Sequence, residues 1–398
     1  MRLFAWAAGI VTLLPAVVMT QQPVTRQQAV ESAVTRGARA AVARADTLVG
    51  AAQLLSARQW ENPSLNATYS KSTPNYHEIL DLPFDITGAR AARVRSAQAT
   101  RLATQYRFQF ERAAAALDAD TTYTRALAAG QHLRLSRRNA LDADSLRRMS
   151  IVRRDAGDAS DLDVLLATVN AGQAANLAAS DSLILVSTLL DLQTIMGLDA
   201  DRVVVTPIDS LALQPGGVEN GVPVTGLPVA AAEQALAAAE LGVRAQRRSV
   251  LSPFSVQLGV EHGDPGEPGI LPTFGFSIPL PILNRNRGPV ALAEAERERA
   301  RAELALTRLE SRGIVARTSR SREIALEKIR RDRVLVESAT QVAAMSLTAY
   351  REGAQGLPAV LEAQRNAREI LSQYVDDLAA AWIATATLRL YNITPVRQ

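Results

Sequence analysis

The sequence predicts a mainly α-helical protein with a small β-structured part. Three observations support this prediction. Prolines are confined to a few zones, apolar residues between those zones recur at helical spacing, and two short zones alternate apolar with polar residues. The chain has no proline between Pro83 and Pro207, and none between Pro289 and Pro358. Helix-breaking residues are therefore absent from two tracts long enough for very long helices.

Apolar spacing inside the proline-free tracts is helical. In the last tract the apolar stripe advances by steps of 3 and 4 through Val360, Ala363, Ala367, Leu371, Tyr374, Leu378 and Ala381. A second stripe runs through Leu102, Tyr106, Phe110, Ala113 and Leu117. Such a stripe is typical of a coiled-coil-like seam or of a helical bundle core. Low aromatic content and abundant alanine favour extended helices packed through small residues.

Two zones change to a period of two and predict β-hairpins. Their apolar residues alternate with polar ones at Leu65, Ala67 and Tyr69, at Leu80, Leu82 and Phe84, at Phe254, Val256, Leu258 and Val260, and at Phe274, Phe276 and Ile278. The turn-rich segments 71–75 and 263–269 separate the two strands of each pair. The pattern indicates hairpins at about 62–85 and 253–282, each with one apolar face.

The two halves of the chain are related by an internal duplication. Pro83 lies 74 residues before Gly157, and Pro279 lies 74 residues before Gly353, so the repeat spacing is 196. At about 1.5 Å per residue, each stretch forms an arm on the order of 100 Å long. The first strands fit less well, because aligning the prolines before them puts Leu65 opposite Ser255; a bulge or a one-residue shift is needed.

The predicted organisation has four parts. These are a signal peptide at 1–20, a first repeat at 21–202 with its helical tip at about 154–161, a linker at 203–228, and a second repeat at 229–394 with its tip at about 351–358. The signal peptide is predicted from Arg2, the apolar run that follows and the polar exit at Thr20. The alternative is an uncleaved anchor helix.

Composition excludes several classes of protein. The chain has no cysteine, which removes disulfides, thiolate metal sites and thiol nucleophiles. The net charge is only +4 with interspersed signs, which is not a nucleic-acid footprint. No segment after the signal peptide approaches twenty uninterrupted apolar residues, so we expect any membrane crossing to use strands.

The sequence offers no enzyme site. His77, His132 and His262 are scattered, no glycine-rich phosphate loop follows a strand, and no metal-ligand spacing occurs. We therefore predict no catalytic residue, no cofactor and no metal site.

Four strands with one apolar face are too few to close a barrel. An open sheet leaves unpaired backbone groups in hydrocarbon, so membrane insertion requires several chains to complete one cylinder. The polar residues that alternate with the apolar ones are then expected to line a wet lumen: Ser64, Asn66, Thr68, Asp81, Asp85, Ser255, Gln257 and Glu261.

The duplicated plan of strand hairpins and helix hairpins resembles the TolC family of outer-membrane efflux proteins over nearly the whole mature chain. The segment 278–288, Ile-Pro-Leu-Pro-Ile-Leu-Asn-Arg-Asn-Arg-Gly, is similar to the strand-to-helix junction of the family's cation and heavy-metal efflux branch. The segments 350–353, Tyr-Arg-Glu-Gly, and 360–365, Val-Leu-Glu-Ala-Gln-Arg, are similar to the second periplasmic turn.

The resemblance implies a homotrimer in the outer membrane, with a twelve-stranded transmembrane β-barrel and a periplasmic tunnel of twelve helices. The implied partners are outer-membrane lipid, a periplasmic adaptor protein and an inner-membrane pump of the RND type, with no nucleic acid. The predicted adaptor-docking tips are Gly157, Asp158, Ala159, Ser160, Gly353, Ala354, Gln355 and Gly356. The alternative for each tip is a plain turn in which glycine supplies a positive φ.

The resemblance also implies a periplasmic gate made of acidic rings. Asp163 and Glu362 fall at matching positions of the two repeats, and threefold repetition would bring like charges together around the axis. Ala359 departs from the family pattern, because some relatives carry a second acid there. The alternative for a carboxylate near a helix start is a cap or a partner of the helix dipole.

The expected function is a passive exit duct for substrates exported by the pump. A conducting duct has weak contacts and little selectivity of its own, so the pump sets most of the selectivity. The resemblance to the cation-efflux branch makes metal cations the first expectation for the cargo and small organic toxicants the second. Two alternatives stay open: a duct for type I protein secretion, and a periplasmic coiled-coil structural protein that never enters a membrane.

Overall fold

A computed structural model describes residues 22–212, 226–251, 254–278 and 280–393. The predicted signal peptide, the 213–225 part of the predicted linker and Pro279 lie outside the described residues. The predicted fold class is confirmed, since the chain consists of long helices with a few strands.

The elements follow the chain in two related halves. They are β1 (Gln22–Val24), α1 (Arg26–Thr35), α2 (Ala38–Arg58), β2 (Ser64–Tyr69), β3 (Tyr76–Phe84), α3 (Ala89–Asp155), α4 (Asp161–Ile195), β4 (Val205–Pro207), α5 (Leu227–Arg248), β5 (Phe254–His262), β6 (Ile270–Ser277), α6 (Arg287–Arg351) and α7 (Leu357–Asn392). A short 3-10 turn, Ser249–Leu251, follows α5.

Helices α3 and α6 form the long arms of the molecule. They contain 67 and 65 residues and therefore extend about 100 Å each. Each returns through a tight turn, so that α4 packs along α3 and α7 along α6. The residues buried between these helices are largely alanines, which allow the backbones to approach closely.

The four hairpin strands form one antiparallel sheet in the order β2-β3-β5-β6. The paired registers run without interruption through all three strand pairs. The first hairpin has a six-residue connection and the second a seven-residue one. This one-residue difference supplies the shift that keeps the apolar faces of the two repeats in phase.

A compact core joins the two repeats near the middle of the molecule. Here β1 pairs in parallel with β4, which lies inside the predicted linker, and both pack near the buried Tyr123 and Leu192. Trp382 of α7 donates through Nε1 to Asp120 Oδ1 of α3 at 3.1 Å. The Arg26 guanidinium bonds to the same carboxylate and lies 3.9 Å above the Trp382 ring. The second repeat is thereby fixed to the first.

Helix α4 is long and strongly apolar. By length and composition alone it is long and apolar enough to cross a membrane, and only 11% of its most apolar window is buried in this chain. It contains no run of twenty uninterrupted apolar residues, because Asn170, Gln173 and Asp181 interrupt it, which agrees with the expectation from the sequence. Helix α4 packs along α3 and leaves apolar side chains exposed on its other side.

Candidate functional site

One face of the four-stranded sheet is apolar except near the loop end, where Glu78 and His262 lie on it. Strand pairing places Leu65, Leu80, Leu258 and Phe274 in one row across β2, β3, β5 and β6. The outer members of this row, Leu65 and Phe274, are 70% and 78% exposed. Water disfavours so broad an apolar surface, which therefore requires an apolar environment or a partner.

The opposite face of the sheet carries a hydrogen-bonded polar ladder. Asn66 donates through Nδ2 to Asp81 Oδ2, and Gln257 donates through Nε2 to Asp81 Oδ1, both at 2.7 Å. Closer to the loops, His77 Nδ1 lies 3.2 Å from Glu261 Oε1. These groups form the polar face that the alternation predicted, with Ile79 and Leu271 as apolar exceptions.

Asp85 was wrongly assigned to the polar face of the first hairpin. Strand β3 ends at Phe84, and the Asp85 carboxylate instead accepts from the backbone N–H groups of Ala89 and Arg90 at 2.9 and 2.8 Å. These hydrogen bonds hold the pKa of Asp85 below its ordinary value although partial burial opposes them. The alternation in the sequence continues through Asp85, but in the structure the Asp85 side chain caps the start of α3.

Aromatic side chains lie at both ends of the apolar face. At the loop end, the Tyr69 and Tyr76 rings are 5.2 Å apart, and Tyr76 stacks on His262 at 4.7 Å. At the helix end, the Phe254 and Phe276 rings are 6.4 Å apart. Eight residues separate Tyr76 from Phe84, so the two aromatic ends are about 26 Å apart along the strand.

At the other end of the molecule the two predicted tips adopt the same turn. Gly157 has φ +84° and Gly353 has φ +78°. In the first tip, Gly157 and Asp158 donate to the carbonyls of Arg154 and Arg153 at 2.9 and 2.8 Å.

The second tip repeats this pattern. Gly353 and Ala354 donate to the carbonyls of Tyr350 and Ala349 at 3.1 and 2.8 Å. Both turns are therefore Schellman motifs, in which a left-handed residue lets the last carbonyls of a helix be satisfied. The duplication predicted from the sequence extends to the hydrogen bonds of the turns.

Arg153 brings the two tips together within one chain. Its guanidinium donates to the Tyr350 carbonyl and lies 4.7 Å from the centre of the Tyr350 ring. The same guanidinium is the nearest group to the position that a side chain at Gly353 would occupy, at 3.7 Å. A further hydrogen bond of 3.5 Å reaches the Asp158 carbonyl. Sequence reasoning missed this residue, because an arginine in the last turn of a helix also suits the helix dipole.

Tyr350 is buried beneath Arg153. It packs with Leu146 of α3, Ala167 of α4 and Leu357 and Val360 of α7. Burial raises the pKa of Tyr350, and the nearby Asp163 carboxylate contributes in the same direction while Arg153 opposes it. The tip region is therefore a small four-helix core carrying opposite charges on its surface.

The two predicted gate residues have different surroundings. Asp163 closes a capping box at the start of α4, where its Oδ2 accepts from the Ser160 backbone N–H at 3.1 Å and from Ser160 Oγ at 3.0 Å. Glu362 is exposed and has no hydrogen bond or ion pair within the described ranges. The cap accounts for Asp163 as a local feature, and the gate assignment of both residues stays a prediction.

The three histidines each lie beside one carboxylate. His132 Nε2 is 2.9 Å from Asp376 Oδ1, and His262 Nε2 is 3.9 Å from Glu78 Oε1. In the part of the chain that the structure describes, no three acidic or histidine side chains converge in a metal-binding arrangement.

The fold is similar to the folds of several solved outer-membrane channels. The Campylobacter jejuni CmeC outer membrane channel matches at a TM-score of 0.79 and 14% identity, over 98% of this chain and 93% of that one. CusC, described through its folding and transmembrane channel formation, matches at 0.77 and 16%, over 94% and 93%. The outer membrane protein VceC from Vibrio cholerae matches at 0.77 and 15%, over 91% and 94%.

Comparisons of the sequence alone found no match, neither among protein-family models nor among curated proteins. At sequence identities of 14–16%, the structural similarity establishes the fold alone.

Proposed function

We propose that this chain is one protomer of a trimeric exit duct that crosses the outer membrane and continues as a helical tunnel into the periplasm. The observation that carries the proposal is the sheet β2-β3-β5-β6, which has an exposed apolar face, a polar opposite face and two open edges. In a bilayer such a sheet is stable only as part of a closed barrel.

The dimensions of the apolar face fit a membrane. Strand β3 has nine residues, the length that a tilted transmembrane β-strand needs, and its aromatic ends correspond to the aromatic girdles of outer-membrane barrels. With a strand tilt of about 35–45°, the distance of about 26 Å along the strand spans about 20 Å of membrane thickness. The polar ladder around Asp81 then faces water in the bore. The alternative, a periplasmic coiled-coil structural protein, has no use for a sheet with one apolar and one polar face.

Every layer of the molecule has the same two edges. In the sheet these edges are β2 and β6. In the helical half next to the sheet, the order of packed helices is α2-α3-α5-α6. In the tip half the order is α4-α3-α7-α6. One edge of the protomer is therefore β2, α2 and α4, and the other is β6 and α6.

Both helical edges expose apolar side chains that a neighbouring protomer can cover. On the first edge these are Val42, Leu48, Val49 and Leu55 of α2 and Leu162, Leu165, Val169 and Leu183 of α4. On the second edge they are Leu306, Leu309, Val334, Leu335, Val342 and Met345 of α6. Two different complementary edges on one chain favour a closed ring with heterologous contacts. This assembly also accounts for the exposed apolar surface of α4.

The structural neighbours support a channel, because CmeC and CusC are described as an outer membrane channel and as forming a transmembrane channel. The ring number of three, the periplasmic adaptor and the RND-type pump come from the family resemblance. The matching turns at Gly157 to Ser160 and Gly353 to Gly356 end both arms at one level, which supports them as the adaptor-docking tips.

The cargo we propose is metal cations, with small organic toxicants second. Asp81 and Glu261 on the polar face give the bore an acidic lining that favours cations. A duct for type I protein secretion has the same architecture, and deletion phenotypes separate the two: metal or toxicant sensitivity in one case, loss of an exported protein in the other.

Planar-bilayer recordings on the purified protein test the duct and its gate together. We expect stepwise ion currents from the unmodified protein. The pair Asp163→Asn and Glu362→Gln should weaken block by divalent cations, since both substitutions remove carboxylates that attract cations at the axis. The amide oxygen introduced by Asp163→Asn can still accept the cap bond, so the start of α4 should be kept.

The matched control is Asp161→Asn, because Asp161 is an exposed carboxylate in the same helical turn. Protein that inserts without conducting contradicts the duct. Currents identical in the double variant and the control remove Asp163 and Glu362 from the gate.

A further inference from the structure

The junction between the sheet and the helical arms carries a concentration of arginines, which we call the rim. Each repeat places arginine at the end of the helix that leads into its hairpin and near the start of the helix that leaves it. The rim arginines are Arg58, Arg90 and Arg93 in the first repeat and Arg247, Arg248, Arg285 and Arg287 in the second. Three carboxylates accompany them, at Glu61, Asp85 and Glu294. The rim is therefore strongly basic within a chain whose charges otherwise nearly balance.

Internal ion pairs do not account for these arginines. Asp85 is used as the cap of α3, and Glu294 pairs with Arg247 at 2.5 Å. Arg90 donates to the Arg58 carbonyl and lies 4.2 Å above the Trp60 ring. The remaining rim arginines have no carboxylate partner among the described residues: Arg58, Arg93, Arg248, Arg285 and Arg287.

Helix electrostatics do not account for all of them either. Arg58, Arg247 and Arg248 lie in the last turns of α2 and α5, where the helix dipole favours a cation. Arg90 and Arg287 lie in the first turns of α3 and α6, where the dipole disfavours one, and neither turn contains an acidic residue. At α3 the Asp85 carboxylate already supplies an anion beside Arg90. At α6 no acidic residue lies in the first turn, so Arg287 at this positive helix end is favourable when an external anion lies beside it.

The rim borders the apolar face of the sheet. Trp60, 63% exposed, lines one small cleft with Phe84, Arg90 and Arg93. In the second repeat, Leu280 and Ile282 are exposed and Leu283 is 100% exposed just before Arg285. Tryptophan beside exposed apolar residues and arginines is the combination found at the headgroup level of membranes.

We propose that the rim binds the phosphate groups of anionic phospholipids in the membrane leaflet that faces the helical arms. This inference rests on the proposed function, since it requires the sheet to lie in a bilayer. A guanidinium group matches a phosphate through two parallel hydrogen bonds, and the adjacent Trp60 and Leu283 side chains reach the acyl boundary of the same lipid. Binding around the ring fixes the height of the barrel in the membrane, because the arginines follow the sheet directly.

Native mass spectrometry of the full-length protein, released from vesicles of phosphatidylglycerol and phosphatidylethanolamine in equal amounts, tests the rim. We expect phosphatidylglycerol to be retained several-fold over phosphatidylethanolamine. The variant Arg58→Gln, Arg93→Gln, Arg287→Gln should lose this preference. The matched control is Arg134→Gln, Arg137→Gln, Arg138→Gln, which removes the same charge from exposed, unpaired positions of α3 away from the rim.

Equal phosphatidylglycerol retention by the rim variant and the control overturns the proposal. So does loss of retention when inorganic phosphate is added at the lipid's concentration, since the rim would then be a general anion site. Flotation with neutral phosphatidylcholine vesicles measures membrane insertion independently of binding to anionic lipid. Protein that does not float there contradicts the duct itself, whatever the rim binds.

Discussion

Asp377 of α7 is a buried carboxylate, 5% exposed, in the seam between α7 and α6. Its Oδ1 accepts from Lys328 Nζ at 3.1 Å, its Oδ2 is buried, and the Oδ2 of the neighbouring Asp332 of α6 is buried as well. Neither of these Oδ2 atoms has a hydrogen-bond donor in the described structure. A proton on Asp332 supplies a hydrogen-bond donor between the two carboxyl groups, whereas two ionised carboxylates repel each other.

The pKa of Asp332 is accordingly raised, first by burial and then by the hydrogen bond and charge of Asp377, with Lys328 and Arg331 opposing. On the other side of α7, His132 of α3 is bonded to Asp376. A folded-state pKa above the unfolded one means that the stabilising contribution is present at low pH and is lost as the pH rises through the folded value.

Asp332→Asn should therefore raise the free energy of unfolding at neutral pH and have little effect below pH about 4, the unfolded value for aspartate. The amide can donate to Asp377 without a proton being taken up. Urea unfolding followed by circular dichroism across this pH range measures the effect. Asp142→Asn, at an exposed position of α3, is the control, and identical pH profiles for the two variants contradict the proton between Asp332 and Asp377.

Residue-level features were predictable where the backbone alone requires them. Gly157 and Gly353 follow from the need for a positive φ at the end of two equally long arms. Arg153 with Tyr350, and Asp332 with Asp377, were not predictable, because each pair joins residues that are distant in sequence and meet only through helix packing. The residue spacing within one amino-acid sequence does not indicate contacts between side chains that are so far apart in that sequence.

Secondary elements were predicted more completely than side-chain contacts. Proline placement and the change of period locate both hairpins and both arms, since these patterns act directly on the backbone. The sequence did not predict the pairing of β1 with β4, because three-residue strands are too short to show alternation. It also carried the strand pattern one residue too far, to Asp85, where a helix cap competes for the side chain.

At the scale of elements, the tip turns give a test of docking. Gly157→Val and Gly353→Val together should abolish efflux while trimers still assemble, because a β-branched residue at positive φ distorts each turn at a cost on the order of 1–2 kcal/mol. Efflux is measured as the survival, in rising metal-ion or toxicant concentrations, of cells whose resistance depends on this protein. Gly130→Val in α3, where an added side chain meets open space and the helix lies on neither assembly edge, should leave efflux unchanged.

Normal efflux by the double tip variant rules out the turns as docking sites. Loss of trimers in that variant contradicts the expected separation between the tip and the assembly surfaces. The edges that we assign to assembly run along α2, α4 and α6, so the turns themselves are not needed to hold the ring together.

At the scale of the whole molecule, the edges of the chain fit its proposed role as one sector of a ring. Its sheet has open edges, its helical layers end at matching edges, and its apolar surface lies where neighbours or lipid can cover it. The sequence predicted the need for several chains from the number of strands alone. It did not predict which helices form the edges, because that order depends on how α3 packs against both repeats.

The mass and structure of the protein extracted from outer membranes test this account most directly. Native mass spectrometry should give three chains per particle, and cryo-electron microscopy of the same particles should show one closed barrel of twelve strands above a helical tunnel. A water-soluble monomer, or a particle whose β2 and β6 edges stay unpaired, contradicts the account.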